Sequence, residues 1–271
     1  MVAAAHAVAV TCYLTAVLLA AVPFARPVRT PVRAVTLVLG LGLFIHAAGL
    51  IALARSGGMM AFTGLGPSLS FAGFTVAAVL LLVELTAREV TLTLAAAPLA
   101  ALASASGSIA GLQPALAAQG TQAVWLTLHI VLAFLGLAAY ATAAAAGTMY
   151  LVSHHDLKVR HFGAVFRLFP PLATLDRVNH LAALAGFLGL TLAVGLAVSY
   201  SIAYRTFAVS EVVWGMAAWL AVAAVALGRL RGSLHARRAA LISAVTFAVV
   251  IALYVVVRVG IVSRVQGAHF L

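Results

Sequence analysis

Histidines inside apolar stretches are the residues of this sequence best suited to chemistry. His129 is the one basic residue of VWLTLHIVLAFLGLAAYA, which begins at Val124, and His46 interrupts a second apolar stretch at FIHAAGL. A polar side chain in hydrocarbon is costly unless it has a partner, so it usually faces a bundle interior or a cavity. Each imidazole is therefore either an interhelical hydrogen-bonding group or an axial ligand for haem iron, and both alternatives are open.

Composition places these histidines in a membrane protein. The chain has 271 residues, of which 65% are hydrophobic and 8% charged, and its mean hydropathy is +1.18. Soluble domains are about one quarter charged, so the sequence predicts an integral membrane protein. The net charge of +11 does not indicate nucleic-acid binding, because the basic residues fall in short loops between apolar runs. The single cysteine, Cys12, excludes an intrachain disulfide and a thiolate metal site.

Eight apolar runs are long enough to cross a bilayer, which takes about 17–25 residues. We predict an all-α membrane protein, a bundle of eight transmembrane helices in a single integral membrane domain covering residues 1–271. No Lys or Arg precedes the first run, so we expect a true first span rather than a cleavable signal peptide. The predicted spans are 7–24, 34–54, 69–87, 90–106, 122–151, 178–203, 210–228 and 239–262, and the fifth is too long to lie fully in hydrocarbon.

The distribution of Lys and Arg predicts the orientation of these spans. The connections between spans 1–2, 3–4, 5–6 and 7–8 hold 12 of these residues, and the other side holds 4. Cytoplasmic loops carry the excess of basic residues, so both termini are expected on the outer, non-cytoplasmic side. The 12 are Arg26, Arg29, Arg33, Arg88, Lys158, Arg160, Arg167, Arg177, Arg229, Arg231, Arg237 and Arg238, and the 4 are Arg55, Arg205, Arg258 and Arg264.

With this orientation, the two membrane histidines lie at similar depth in the outer half of the bilayer. At a rise of 1.5 Å per residue, His129 lies roughly 10 Å from the outer end of span 5, and His46 lies roughly 12 Å from the outer end of span 2. His269 emerges on the outer face in the tail SRVQGAHFL, and His6 lies at the outer start of span 1. The remaining five lie at the cytoplasmic edge: His154, His155, His161, His180 and His235.

Aromatic and charged residues near the outer face each admit two interpretations. Trp125, Trp214 and Trp219 are either an interfacial aromatic belt, which is the ordinary expectation, or a shelf on which a haem stacks. Arg258 either pairs with Glu211 or binds an anionic ligand group such as a haem propionate, since Arg holds carboxylates bidentately.

Elsewhere, the polar residues predict ordinary membrane-protein features. Glu84 and Arg88 are four apart at the inner end of span 3 and predict an i,i+4 ion pair. The chain has no P-loop, no G-x-S-x-G, no H-E-x-x-H and no paired carboxylates. We expect the largest cytoplasmic loop to face anionic lipid and to bind no metal, because four of its residues fit no tight zinc pattern: His154, His155, Asp156 and His161.

Four segments between about residue 122 and the C-terminus form an ordered series of motifs. They are VWLTLHIVLAFLGLAAYATAAAAGTMYLV, RLFPPLATLDRVNHLAALAGFLGLTLAVGLAVS, VVWGMAAWLAVAAVALGRLRG and GAHFL. FIHAAGL and AAAPLAAL extend the series more loosely into the N-terminal half. In this order of motifs the chain resembles the CcsA/HemX (YpjD-like) family of cytochrome c assembly proteins, which are polytopic haem-handling membrane proteins.

The resemblance implies a ligand set and a cellular setting. His129 and His269 would be axial ligands of a non-covalent, b-type haem near the outer face, and His46 a further ligand, for a haem embedded in the membrane. Besides haem and the lipid bilayer, the implied partners are apocytochrome c and other assembly subunits, with no nucleic acid. The implied location is a bacterial-type inner (plasma) membrane, crossed several times.

The third motif departs from the pattern of members that ligate haem to cytochrome c. Those members carry a segment similar to WGxxWxWDPKE, whereas this chain keeps Trp214, Gly215 and Trp219 but lacks the Trp-Asp and Pro-Lys-Glu parts. The chain is therefore more similar to the short HemX or YpjD-like branch, which implies haem binding or an accessory role in haem and tetrapyrrole metabolism. We expect no independent catalytic activity.

Three functions remain open at this point. The first is a haem-binding membrane protein that supports cytochrome c assembly or haem delivery. The second is a cofactor-free subunit, such as a transporter component, a scaffold or a regulator of tetrapyrrole metabolism, in which the histidines only hold helices together. The third is a quinone-linked b-type electron carrier, which would usually need two haems and four histidine ligands.

Overall fold

A computed structural model shows the arrangement of the helices. It describes residues 2–26, 28, 31–57, 62, 64–87, 89–113, 120–160, 163, 166, 168–205 and 209–267. The side chains of 209–211, 255 and 257–267 fall outside that description.

Eight long apolar helices make up the described chain, and the prediction of an eight-helix membrane bundle is confirmed. Each helix overlaps one of the predicted spans, because runs of this length and hydropathy can satisfy their backbone hydrogen bonds only within a helix when they lie in lipid. The helices are α1 (Val2–Ala25), α2 (Val32–Gly57), α3 (Leu65–Ala87), α4 (Thr93–Ala110), α5 (Thr121–Lys158), α6 (Leu172–Tyr204), α7 (Val209–Leu230) and α8 (Ala236–Gly267).

The helices differ in length and regularity. A 3-10 turn, Val90–Leu92, leads directly into α4, and Pro98 lies inside α4 without ending it. The 38 residues of α5 extend over about 57 Å and the 33 residues of α6 over about 50 Å, against a hydrocarbon core of about 30 Å. The expectation that the fifth span exceeds the hydrocarbon thickness is confirmed.

Helices α5 and α6 form the most extensive contact in the bundle. Helices α1 to α4 pack together, α5 contacts α3, α4, α6 and α8, and α7 lies against α6 and α8. Because all eight helices can span the membrane, the starts of odd-numbered helices and the ends of even-numbered helices lie on one side. We call this the terminal side, and the other the opposite side.

Glycines bring the backbones of α5 and α6 together. A Cβ atom added at Gly136 would lie 2.8 Å from the backbone nitrogen of Leu190, and one added at Gly189 would lie 2.9 Å from the Cα of Gly136. Small residues permit such close approach, and van der Waals packing of this kind drives helix association in lipid. The α5–α6 contact therefore depends on the absence of side chains at these positions.

We expect Gly136→Leu to lower the free energy of unfolding by about 1–3 kcal/mol, because overpacking forces two backbones apart. The measurement is the unfolding midpoint of the protein purified in detergent. Gly195→Leu is the matched control, since a Cβ at Gly195 of α6 meets nothing within 4 Å. Equal midpoints for the two variants would contradict the proposed role of Gly136.

Candidate functional site

His129 lies half-buried on α5 and is hydrogen-bonded to α6. Its Nδ1 is 2.8 Å from the carbonyl oxygen of Ala193. A carbonyl oxygen can only accept, so Nδ1 carries the proton of this bond. In the neutral imidazole, the lone pair available to a ligand is then on Nε2.

This arrangement is the one that metal-binding histidines usually have. A ligating histidine typically donates its other ring N–H to a carboxylate, a backbone carbonyl or water, which fixes the tautomer and the orientation of the ring. Ala193 supplies that carbonyl for His129. His129 can therefore present Nε2 to haem iron without losing its hydrogen bond to α6.

His46 is in a different situation, because both of its ring nitrogens are engaged. It is fully buried on α2, with Nδ1 3.1 Å from the Tyr13 hydroxyl of α1 and Nε2 2.9 Å from the Ser70 hydroxyl of α3. His46 thus joins three helices through two hydrogen bonds. It could bind iron only by giving up one of them, and its assignment as a ligand stays a prediction.

His6 lies directly beside His46, which the sequence did not reveal. The ring centroids are 4.8 Å apart, and both side chains are fully buried. His6 Nδ1 bonds to the Val2 carbonyl at 2.8 Å, while its Nε2 has no hydrogen-bond partner among the described residues. The sequence spacing held part of this information. His6 and Tyr13 are seven residues apart, which places both on one face of a helix, so both can face the same neighbouring helix.

Two of the three tryptophans use their indole N–H to connect helices. Trp219 Nε1 donates to Thr191 Oγ1 on α6 at 2.9 Å, and Trp214 Nε1 donates to the Val250 carbonyl on α8 at 3.2 Å. Both indoles therefore hold α7 to its neighbours. These bonds engage the ring edges that carry the N–H.

The third tryptophan, Trp125, lies one helical turn from His129 on the same face of α5. Its ring meets Tyr200 and Tyr204 of α6 at centroid distances of 6.4 Å and 5.9 Å. Three aromatic rings thus lie on the terminal side of His129, along the seam between α5 and α6. Sequence reasoning identified Trp125 but not the two tyrosines.

Several predicted residues lie outside the described part of the chain. His269 and Arg88 are not described, and neither are the side chains of Arg258 and Glu211. The predicted pairs Glu84–Arg88 and Arg258–Glu211 therefore remain predictions. Within the described ranges, no three His, Cys, Asp or Glu side chains gather into a group that could hold a metal ion.

The sequence analysis did not predict a cluster of polar residues at the opposite side of the membrane. Arg229 of α7 forms an ion pair with Asp176 of α6 at 2.8 Å, and its Nε donates to His180 Nδ1 at 3.4 Å. The signal was the four-residue spacing of Asp176 and His180, which puts both on one face of α6. This cluster fixes the end of α7 against α6.

The comparison with known proteins identifies the family. A family profile described as "Cytochrome C assembly protein" matches residues 62–262, which is well over half of the chain. The chain belongs to this family. A role in cytochrome c biogenesis follows from that membership. No curated protein and no solved structure matches the chain.

The cytochrome c assembly match covers part of the candidate site. His129, Trp125, Trp214 and Trp219 lie within it, and so does the seam between α5 and α6. The hairpin of α1 and α2, which carries His46, precedes the matched region. The Ser70–His46 hydrogen bond therefore connects the matched region to this hairpin.

Removing either hydrogen-bond partner of His46 should destabilise the packing of α1, α2 and α3. We expect Ser70→Ala and Tyr13→Phe each to lower the free energy of unfolding by about 1–3 kcal/mol, because a buried nitrogen loses its hydrogen bond. Unfolding of the detergent-purified variants measures the effect. Ser199→Ala is the control, because the exposed Ser199 hydroxyl bonds only to a carbonyl of its own helix.

Proposed function

We propose that this family member binds haem and supports cytochrome c assembly or haem delivery. The single observation that carries the proposal is the hydrogen bond from His129 Nδ1 to the Ala193 carbonyl. That bond leaves Nε2 as the ligating atom, in an apolar setting that suits a porphyrin. The haem would be non-covalent and of b type, and the iron would supply its redox and ligand-binding chemistry.

The second axial ligand is proposed to be His269, with His46 as the alternative. His46 already uses both nitrogens, so ligation there costs a buried hydrogen bond to Tyr13 or Ser70. His269 follows α8, whose end lies on the same side of the membrane as the start of α5. The excess of Lys and Arg on the opposite side supports placing this side outward, toward the non-cytoplasmic compartment.

Trp125 is proposed to border the haem, because it lies one turn from His129 on the same face of α5. Trp214 and Trp219 would contribute ring faces, since their N–H edges are bonded to other helices. Arg258 is the proposed partner for a propionate, because a guanidinium binds a carboxylate bidentately.

Haem attachment itself would need partners. Forming the thioether bonds of a cytochrome c requires an apocytochrome with reduced thiols, and Cys12 cannot form a redox pair within this chain. We therefore propose that the protein positions or delivers haem in a bacterial-type inner membrane. Other assembly subunits would then present the apocytochrome.

A cofactor-free membrane subunit is the second candidate function. The observation in its favour is that His46 and His129 both form interhelical hydrogen bonds, which a purely structural histidine would also form. In this case neither histidine needs iron, and the protein would act as a scaffold or regulator.

Absorption spectra of the protein purified in mild detergent separate the two functions. We expect Soret and α bands in the wild type, oxidised and reduced, and their loss in His129→Ala. His269→Ala should shift the spectrum if His269 is the second ligand, and His46→Ala should shift it if His46 is.

His155→Ala is the matched histidine control, because this exposed residue lies at the end of α5 farthest from His129. Its spectrum should equal that of the wild type. A colourless protein that stays colourless after haem is added back would refute the haem proposal and favour the cofactor-free subunit.

A further inference from the structure

Glu84 is a buried carboxylate inside a membrane helix. It lies one turn from the end of α3 at the opposite side, with only 3% of its surface exposed. The Thr36 hydroxyl of α2 donates to its Oε2 at 3.3 Å, and the Thr93 hydroxyl of α4 donates to its Oε1. Two neighbouring helices thus supply one hydroxyl to each carboxylate oxygen.

A full negative charge at this position has only neutral partners among the described residues. No described basic side chain forms an ion pair with Glu84, while Arg88 lies outside the description. A buried charge without an opposite charge is costly, and an acid in this setting avoids the cost by taking up a proton. An ionisable group within a membrane helix is for this reason a candidate for a functional site.

The two threonines can satisfy Glu84 with or without a proton. Each hydroxyl donates to the charged form. In the neutral form the carboxyl O–H donates to the Thr36 hydroxyl, which can itself turn to the carbonyl of Val32, four residues earlier in α2. Other threonines of this chain already make that bond, including Thr142 to Ala138 and Thr148 to Ala144. A change of protonation therefore leaves no buried polar atom unpaired.

Thr36 is half-buried and lies at the edge of the bundle. An open groove of about 330 Å³ runs along α2 and is lined by Val32, Arg33, Thr36 and Leu37. Thr36 therefore borders the groove and bonds to Glu84 at the same time. The half-buried Thr36 hydroxyl therefore connects Glu84 to the surface of the bundle.

We propose that Glu84, with Thr36 and Thr93, forms a proton-binding site at the opposite side of the membrane. The proposal does not depend on haem binding. The protonation state of Glu84 determines which threonine hydroxyl donates a hydrogen bond to it. Because Thr36 belongs to α2 and Thr93 to α4, it also changes the hydrogen bonds that join these helices to α3. Other described ionisable groups at this end of the neighbouring elements are Arg26, Arg33, Glu89, Tyr150, His154, His155, Asp156, Lys158, Asp176, Arg177 and His180.

Labelling with the apolar reagent dicyclohexylcarbodiimide tests the proposal. The carboxyl proton moves to a carbodiimide nitrogen while a carboxylate oxygen adds to the central carbon, so only the protonated acid reacts. We expect mass spectrometry of the detergent-purified protein to find the adduct on Glu84, in a yield that falls as the pH rises. Glu84→Gln should abolish the adduct at this position.

Variants of the hydroxyls test the geometry. Thr36→Val and Thr93→Val each remove a donor that stabilises the charged form, so labelling should persist to a pH higher by about one unit or more. Glu89→Gln is the matched control for a neighbouring acid and should leave the labelling of Glu84 unchanged. Burial also raises the pKa of Glu89, so its own adduct must be resolved from that of Glu84.

Three results would overturn the proton site. The first is a Glu84 peptide that is detected without label at every pH. The second is labelling that appears only after Arg88→Ala, which would show that Glu84 is a salt-bridged anion. The third is protection by Na⁺ but not by choline, which would show that a metal cation and not a proton occupies the carboxylate.

Discussion

The close contact between α5 and α6 is the constraint on which the candidate site depends. At Gly136 and Gly189 the two backbones meet without intervening side chains, and this contact sets the distance between the helices at that level. Two turns toward the terminal side, the same spacing lets His129 reach the Ala193 carbonyl. The tautomer of one imidazole is thus determined by the packing of glycines that take no part in any chemistry.

Polar side chains inside the bundle help to determine how its helices pack. Water is absent from the hydrocarbon core, so a polar group there is favoured when it finds a partner in the protein, and several of these partners lie on a different helix. His46 connects three helices, Trp214 and Trp219 connect α7 to two neighbours, and Glu84 connects α3 to α2 and α4. Apolar packing in lipid lacks the hydrophobic driving force that water provides, so these polar contacts specify which helices become neighbours.

The sequence predicted the number and positions of the helices, because a long apolar run in a membrane satisfies its backbone hydrogen bonds by forming a helix. The sequence also singled out His129 as a polar residue expected to face the bundle interior or a cavity, but it could not name its partner Ala193, and its assignment as a haem ligand stays a prediction. The helices are apolar almost all round, so periodicity does not show which face meets which neighbour. The partners Tyr13 and Ser70 of His46, and Thr36 and Thr93 of Glu84, lie on other helices and follow from tertiary packing alone. Local spacing could have suggested only pairs within one helix, such as His6 with Tyr13.

The junction at His46 has a consequence for how the chain assembles during synthesis. The hairpin of α1 and α2 is synthesised before α3, and at that stage His46 can reach Tyr13 but not Ser70. Its second nitrogen is satisfied only when α3 arrives, and α3 is the first helix of the region that matches the cytochrome c assembly family. An unpaired imidazole nitrogen in lipid is costly. The hairpin alone therefore keeps one unsatisfied nitrogen, and it becomes more stable when α3 packs against it. The two hydrogen bonds of His46 therefore form in the order in which the three helices are synthesised.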